Sequence, residues 1–73
     1  MREPKWLKDL FIGSEPETIA NPYTGLTETL EPEAVAVYDL IKGAEMFGDY
    51  QTLREGLDYF RSKWPNEYMT LLD

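Results

Sequence analysis

Hydrophobic residues in the second half of the chain recur at helical spacing. From residue 32 onward they fall three or four positions apart, in two stripes separated by Gly48. A period of 3.6 residues places such positions on one face of a helix. The pattern predicts helices over 32–47 and 49–64. Because the connection at Gly48 is very short, the two helices are expected to lie antiparallel.

The residues at the ends of these stripes support the same boundaries. Pro32 suits the first turn of a helix, Gly48 suits the left-handed conformation that closes one, and Asp49 is a favoured capping residue. Pro65 stops the second helix, since proline has no backbone N–H and clashes with the preceding turn. A final short helix is predicted over 66–72.

A shorter apolar stripe lies near the amino terminus, between Pro4 and Gly13. It consists of Trp6, Leu7, Leu10 and Phe11. This spacing predicts a helix over 4–12, with Pro4 in its first turn and Gly13 closing it. A helix of this length is marginal in water on its own, so it must dock on the rest of the molecule.

Residues 14–31 lack a helical pattern. The stretch "NPYTG" at 21–25 has the residues of a tight turn, and Leu26, Glu28 and Leu30 alternate weakly after it. An ordered loop with some strand character is the favoured prediction, because a two-stranded ribbon needs support from other elements. A small β-hairpin is the alternative.

The fold class predicted from these patterns is mainly α. Three to four short helices surround an antiparallel helical hairpin, with an irregular or weakly β segment at 14–31. The 73 residues are expected to form a single domain over 1–73. A chain this short buries only about 60% of its unfolded surface. With no cysteine for a disulfide, its stability must come from packing.

Ten aromatic residues are many for a core of this size. Some are expected on a surface that another chain covers, although a small core that uses every ring it has explains them equally well. Tyr23, at the tip of a turn, gains little burial within the chain. Tyr59 and Tyr68 lie beside the main stripes. These three tyrosines are candidate partner-binding residues.

Negative charge is concentrated in one part of the chain. The formal net charge is −7, and residues 13–41 carry six acidic side chains and no basic one. This balance opposes direct binding to nucleic acid and favours a basic partner. Glu28, Glu31 and Glu33 are candidates for a nucleic-acid mimic that occupies a basic groove on another protein. The simpler interpretation is a solvated face that keeps the chain soluble.

Catalytic chemistry is not expected. The chain has no histidine or cysteine and only two serines, and its carboxylates show no metal-binding spacing. We therefore predict no catalytic, cofactor or metal site. No apolar run approaches the roughly 18 residues of a membrane span, and no signal peptide is visible. A cytoplasmic protein that binds other proteins, without membrane contact, is the predicted class.

Residues 34–66 resemble a single tetratricopeptide-type unit. Two predicted helices, a Gly-Asp-Tyr turn and a proline after the second helix fall within about the 34-residue period of that family. Leu40, Gly48, Tyr50 and Pro65 match its favoured residue types. The chain departs from the family where small residues are wanted, at Ile41, Leu53 and Phe60, and it has no second copy. A stand-alone hairpin is therefore predicted, without the family's peptide groove.

The overall texture is similar to that of small uncharacterised proteins of tailed phages. The resemblance is carried by "NPYTG", then "LEPEAVAVYDLIKGAE", then a hairpin that ends in "WPNEYMTLLD". It brings no motif of known chemistry. It implies an accessory or virion-associated protein that acts in the host cytoplasm.

Self-association is a further expectation for a chain with this much apolar surface. The carboxy-terminal "NEYMTLLD" forms a short helix that exposes one side, and in a symmetric dimer Tyr68, Met69 and Leu72 would meet their counterparts. The alternative is that this tail folds back over Trp6 and Phe11 and completes a monomeric core.

Overall fold

The computed structural model describes residues 4–72. Arg2, Glu3 and Asp73, which contribute to the net charge of −7, lie outside the described residues. The described part is mainly α, which confirms the predicted class. Its elements in chain order are a 3₁₀ helix (Lys5–Asp9), β1 (Glu17–Ala20), β2 (Thr27–Leu30), α1 (Pro32–Phe47), α2 (Tyr50–Lys63) and α3 (Pro65–Leu71).

Helix α1 occupies the range that the periodicity predicts. Pro32 begins it, and Gly48 ends it in the left-handed conformation at φ 73°. The backbone N–H of Asp49 then donates to the carbonyl of Ala44 at 2.9 Å. The Asp49 carboxylate accepts from the Thr52 N–H at 3.2 Å, which caps α2. A connection of two residues therefore satisfies the backbone groups at both helix ends.

The most extensive contact between elements joins α1 and α2. The contact is close at Gly56, where an added Cβ would lie 2.8 Å from Ile41 Cγ1. Helix α3 packs on α2 and β2, and β2 also contacts α1. The buried core draws on β2 and all three α-helices: Leu30, Ala34, Val35, Val37, Tyr38, Ile41, Phe60, Trp64 and Leu71.

Residues 17–30 form an antiparallel β-hairpin, so the favoured prediction of a loop is wrong and its alternative is correct. Glu17 pairs with Leu30 and Ala20 with Thr27. The support that a two-stranded ribbon requires comes from α3. The Asn21 side chain donates to the Thr70 carbonyl at 2.9 Å, and Leu30 lies in the core.

The predicted helix over 4–12 is shorter and of another type. It is a 3₁₀ helix that ends where Leu10 adopts an extended conformation. Runs of 3₁₀ helix longer than three or four residues are uncommon because their hydrogen-bond geometry is poor. Phe11 consequently lies beyond the helix and is 89% exposed, while Trp6 and Leu10 pack against the core.

The last two helices differ slightly from the predicted ranges 49–64 and 66–72. Trp64 adopts a non-helical conformation (φ −131°, ψ 66°) between them, and Pro65 occupies the first turn of α3 rather than only stopping α2. Asn66 therefore lies inside α3 and does not cap it.

Candidate protein-binding surface

Three of the predicted partner-binding residues are packed against the core. Tyr59 is half-buried between two tryptophans, with ring centroids 5.8 Å from Trp6 and 6.0 Å from Trp64 in edge-on geometry. Tyr68 and Leu72 are also half-buried and contact core residues. Much of the surface of these three side chains is consequently unavailable to a partner.

The other two apolar candidates point to solvent. Tyr23 is 95% exposed and Met69 is 67% exposed. Asn21 fixes the turn that presents Tyr23, because its Oδ1 accepts from the Tyr23 N–H at 2.8 Å. Tyr23 and Leu72 both line a groove of about 240 Å³, together with Lys42. Tyr23 is thus exposed at the tip of the β-hairpin, and its role in partner binding stays a prediction.

Two of the three candidate glutamates make hydrogen bonds within the fold. Glu28 accepts from the Thr70 hydroxyl at 2.8 Å, and Glu33 accepts from the Lys63 ammonium at 2.7 Å. Glu31 is exposed just before α1. Glu28 and Glu33 therefore link elements of this chain: β2 to α3, and the start of α1 to the end of α2.

The Lys63 ammonium has the clearest electrostatic perturbation. Its hydrogen bond to the Glu33 carboxylate raises the pKa of Lys63 above the ordinary value of 10.5, and Tyr59 adds to this effect. The ammonium also lies over the rings of Tyr59 and Trp64, 5.5 and 5.4 Å from their centroids. Lys63 therefore links the end of α2 to the start of α1, next to the rings of Tyr59 and Trp64.

The largest unexpected feature is an exposed apolar group around the turn between α1 and α2. Met46 is 80% exposed, Phe47 85% and Tyr50 73%. We call these three residues the turn patch. The helical spacing of the sequence includes Phe47 and Tyr50 in the two apolar stripes and does not predict their exposure. Their position in the sequence could have indicated the exposure, because Phe47 and Tyr50 lie within two residues of Gly48. Side chains at the end of a helix have fewer neighbouring residues to pack against.

A shallow apolar depression lies beside the turn patch. It has a volume of about 300 Å³ and is lined by Leu40, Gly43, Ala44, Phe47, Asp49 and Thr52. We call it the side groove. Its α1 residues are three, one and three positions apart and so share one helix face. Phe47 belongs to both surfaces, which makes the turn patch and the side groove continuous.

A second groove lies on the other side of α2. It has a volume of about 340 Å³, is beside α3, and is lined by Tyr50, Leu53, Arg54, Leu57, Asp58 and Tyr68. Arg54, Asp58 and the tyrosine hydroxyls make this lining more polar than that of the side groove. Tyr50 of the turn patch therefore lines this second groove, whereas Phe47 lines the side groove.

The carboxy-terminal helix does not fold back over Trp6 and Phe11, which was the alternative predicted for a monomer. Helix α3 packs on α2 and β2, whereas the Trp6 indole N–H donates to Glu55 Oε1 at 3.1 Å. Phe11 is exposed. The amino-terminal segment and α3 therefore occupy different sides of α2.

No helix within residues 4–72 is long and apolar enough to cross a membrane. Over the same described range, no three acidic, histidine or cysteine side chains group in a way that could hold a metal ion. No protein-family model matches the chain, and comparisons with curated proteins and with solved structures find no similar protein.

Proposed function

We propose that this chain is a non-enzymatic protein-binding or assembly module and that the turn patch is the centre of its binding surface. The observation that carries the proposal is the exposure of Met46, Phe47 and Tyr50 around one turn. Single exposed apolar residues need no explanation, but a group of large ones marks an interaction site. Aromatic residues and methionine are enriched at protein interfaces.

The arrangement of α1 and α2 belongs to the same proposal. We infer that they form an antiparallel helical hairpin. Their two-residue connection and their extensive mutual contact support it. In such a hairpin the ends of both helices at Gly48 are held rigidly. A partner then meets a preformed apolar surface, which lowers the entropy cost of binding.

The net charge narrows the class of partner. A charge of −7 repels phosphates, so direct nucleic-acid binding is not proposed. The alternative function, a mimic of nucleic acid, relies on Glu28, Glu31 and Glu33. We favour the apolar surface because the carboxylates of Glu28 and Glu33 already hydrogen-bond to Thr70 and Lys63. An accessory role in a phage, acting in the host cytoplasm, stays a prediction from resemblance.

The experiment is affinity capture of partners from the cells that encode the chain, followed by quantitative mass spectrometry. The test variant carries Phe47→Ser and Tyr50→Ser, which remove two rings at helix ends and leave the core intact. The matched control is Tyr23→Ser, which removes an equally exposed ring elsewhere. Circular dichroism verifies that all three proteins are folded.

We expect the double variant to lose captured proteins that the wild type and the control retain. Proteins captured equally by all three would contradict the turn patch as the binding centre. A partner lost only with Tyr23→Ser would move the site to the β-hairpin tip.

A further inference from the structure

The α1–α2 pair is covered unequally on its two sides. On one side, the β-hairpin and α3 bring Leu30 and Leu71 into the buried core. On the other side, the 3₁₀ helix places Trp6 against Tyr59 and Glu55 of α2. Thr52 precedes Glu55 by three residues and so lies on that second side of α2. The side groove, which Thr52 lines, therefore opens on the same side of α2 as the residues that Trp6 contacts.

The part of α2 that Trp6 covers shows what kind of side chain binds on this side of the helix pair. Trp6 packs edge-on against Tyr59 and donates its indole N–H to the Glu55 carboxylate. It is flanked in sequence by Lys5 and Lys8, both exposed. A short apolar segment therefore already docks on this side of α2 through Trp6, while its two lysines stay exposed.

The open part offers matching groups. Leu40, Gly43, Ala44 and Phe47 supply an apolar floor. At its end lies the exposed Asp49 carboxylate, which keeps its negative charge while its two oxygens accept from the Thr52 N–H and hydroxyl. Asp39, which is exposed, lies four residues before Gly43 at the edge of this face of α1, although it lines a neighbouring depression and not the side groove itself. No lysine or arginine is among the residues that line the side groove.

We propose that the side groove binds an apolar segment bearing lysine or arginine, supplied by a different protein. This inference rests on the proposed function and names its partner by chemistry. The two acidic residues and the net charge of −7 attract a cationic segment. The same charge disfavours a second copy of this chain, because two such copies repel each other.

Gly43 provides a substitution that blocks the groove without disturbing the fold. A Cβ added there meets no atom within 4 Å, so Gly43→Leu places a side chain in the groove rather than in the core. Leucine is also a far better helix former than glycine, so α1 is not weakened. Phe11→Ser serves as the control, because Phe11 is an exposed ring that does not line the side groove.

The experiment selects binders from a random 12-residue peptide library displayed on phage, with the full chain as bait. Selected peptides are then synthesised and their affinities measured for the wild type, Gly43→Leu and Phe11→Ser. Nuclear magnetic resonance shift mapping locates each peptide on the protein. We expect enrichment of aromatic and aliphatic residues together with lysine or arginine, and shifts centred on residues 40–52.

Gly43→Leu should weaken these peptides by about tenfold or more, as expected when one central contact is lost. Phe11→Ser should leave their affinity unchanged. A selection that yields no Gly43-dependent peptide, or only acidic ones, overturns the inference. If cellular partners still depend on Phe47 and Tyr50 but bind Gly43→Leu normally, the proposed function stands and only the side-groove inference fails.

Discussion

Gly56 determines how closely α1 and α2 approach each other. Any Cβ at this position would lie 2.8 Å from Cγ1 of Ile41, a fully buried side chain that has little room to move. The tetratricopeptide pattern has small residues where this chain has Ile41, Leu53 and Phe60. Here the small residue at the close contact between the two helices is Gly56, which lies between Leu53 and Phe60.

Two mid-helix glycines should therefore respond in opposite directions to alanine. Gly56→Ala is expected to lower the free energy of unfolding by about 1–3 kcal/mol through overpacking. Gly43→Ala, which meets no atom within 4 Å, should raise it by about 0.5–1 kcal/mol, because alanine loses less backbone entropy on folding. Urea denaturation measures both. Changes of the same sign would contradict the close contact at Gly56.

Asn21 is the buried polar residue that joins the β-hairpin to α3. Its side chain accepts from the Tyr23 N–H at 2.8 Å and donates to the Thr70 carbonyl at 2.9 Å. Asn21→Ala leaves both groups without this partner, and the free energy of unfolding should fall by about 1–3 kcal/mol.

Thr24→Ala is the matched control for Asn21 because it removes a longer, exposed bond to the Leu26 N–H in the same turn, at 3.2 Å. Its effect should stay within about 0.5 kcal/mol. Thermal unfolding of the two variants compares them directly. Equal losses would mean that the turn, and not the link to α3, is what Asn21 stabilises.

At the residue scale, the sequence identified the apolar residues but did not always indicate whether their side chains face the core or the solvent. Tyr23 and Met69 are exposed, as a partner-binding role requires, whereas Tyr59, Tyr68 and Leu72 pack against the core. Periodicity assigns a helix face and carries no information about where neighbouring elements stop. That explains why Tyr59, Tyr68 and Leu72 were expected outside and why the exposure of Phe47 and Tyr50 was not predicted.

Element boundaries were predictable where local chemistry and periodicity agree. Helix α1 begins at Pro32 and is closed by Gly48, and both residues act locally. The β-hairpin was less predictable, because its stability depends on bonds that join Asn21 and Glu28 to α3, 49 and 42 residues away. The 3₁₀ helix was mistaken for an α-helix since its apolar spacing suits either over so short a stretch.

The ion pair of Glu33 and Lys63 connects two element ends and gives a pH prediction. The pKa of Lys63 is raised, so its contribution to stability is fully present below about pH 10.5 and is lost as pH rises through the raised value. Both side chains are partly exposed, so this contribution is small, on the order of 0.2–1 kcal/mol.

Glu33→Gln should lower the pKa of Lys63 toward its ordinary value, because the hydrogen bond to the carboxylate is the largest cause of the shift. Nuclear magnetic resonance titration of the lysine side chain measures it. The matched control is Glu31→Gln, which removes the same charge from an exposed position two residues away. Equal effects of the two variants would show that general charge, and not the 2.7 Å bond, raises the pKa.

For the whole molecule, the negative net charge opposes self-association, whereas the exposed apolar surface favours it. The described part extends 31 × 27 × 23 Å, and the chain carries a net charge of −7. At about 0.01 M salt the Debye length is roughly 30 Å, so repulsion acts across the entire molecule. At about 0.15 M it falls to roughly 8 Å. Apolar contact between copies therefore becomes easier as salt rises.

Salt should consequently distinguish a second copy from a basic partner. Sedimentation velocity over a concentration series should show a monomer at low salt and increasing association at higher salt. Phe47→Ser with Tyr50→Ser should reduce that association more than Met69→Ser does, because Tyr68 and Leu72, the neighbours of Met69 in the predicted dimer, are half-buried. Binding of a lysine-rich apolar peptide should weaken over the same salt range. A strict monomer at every salt concentration would contradict the association, and peptide affinity that does not depend on salt would contradict a cationic partner.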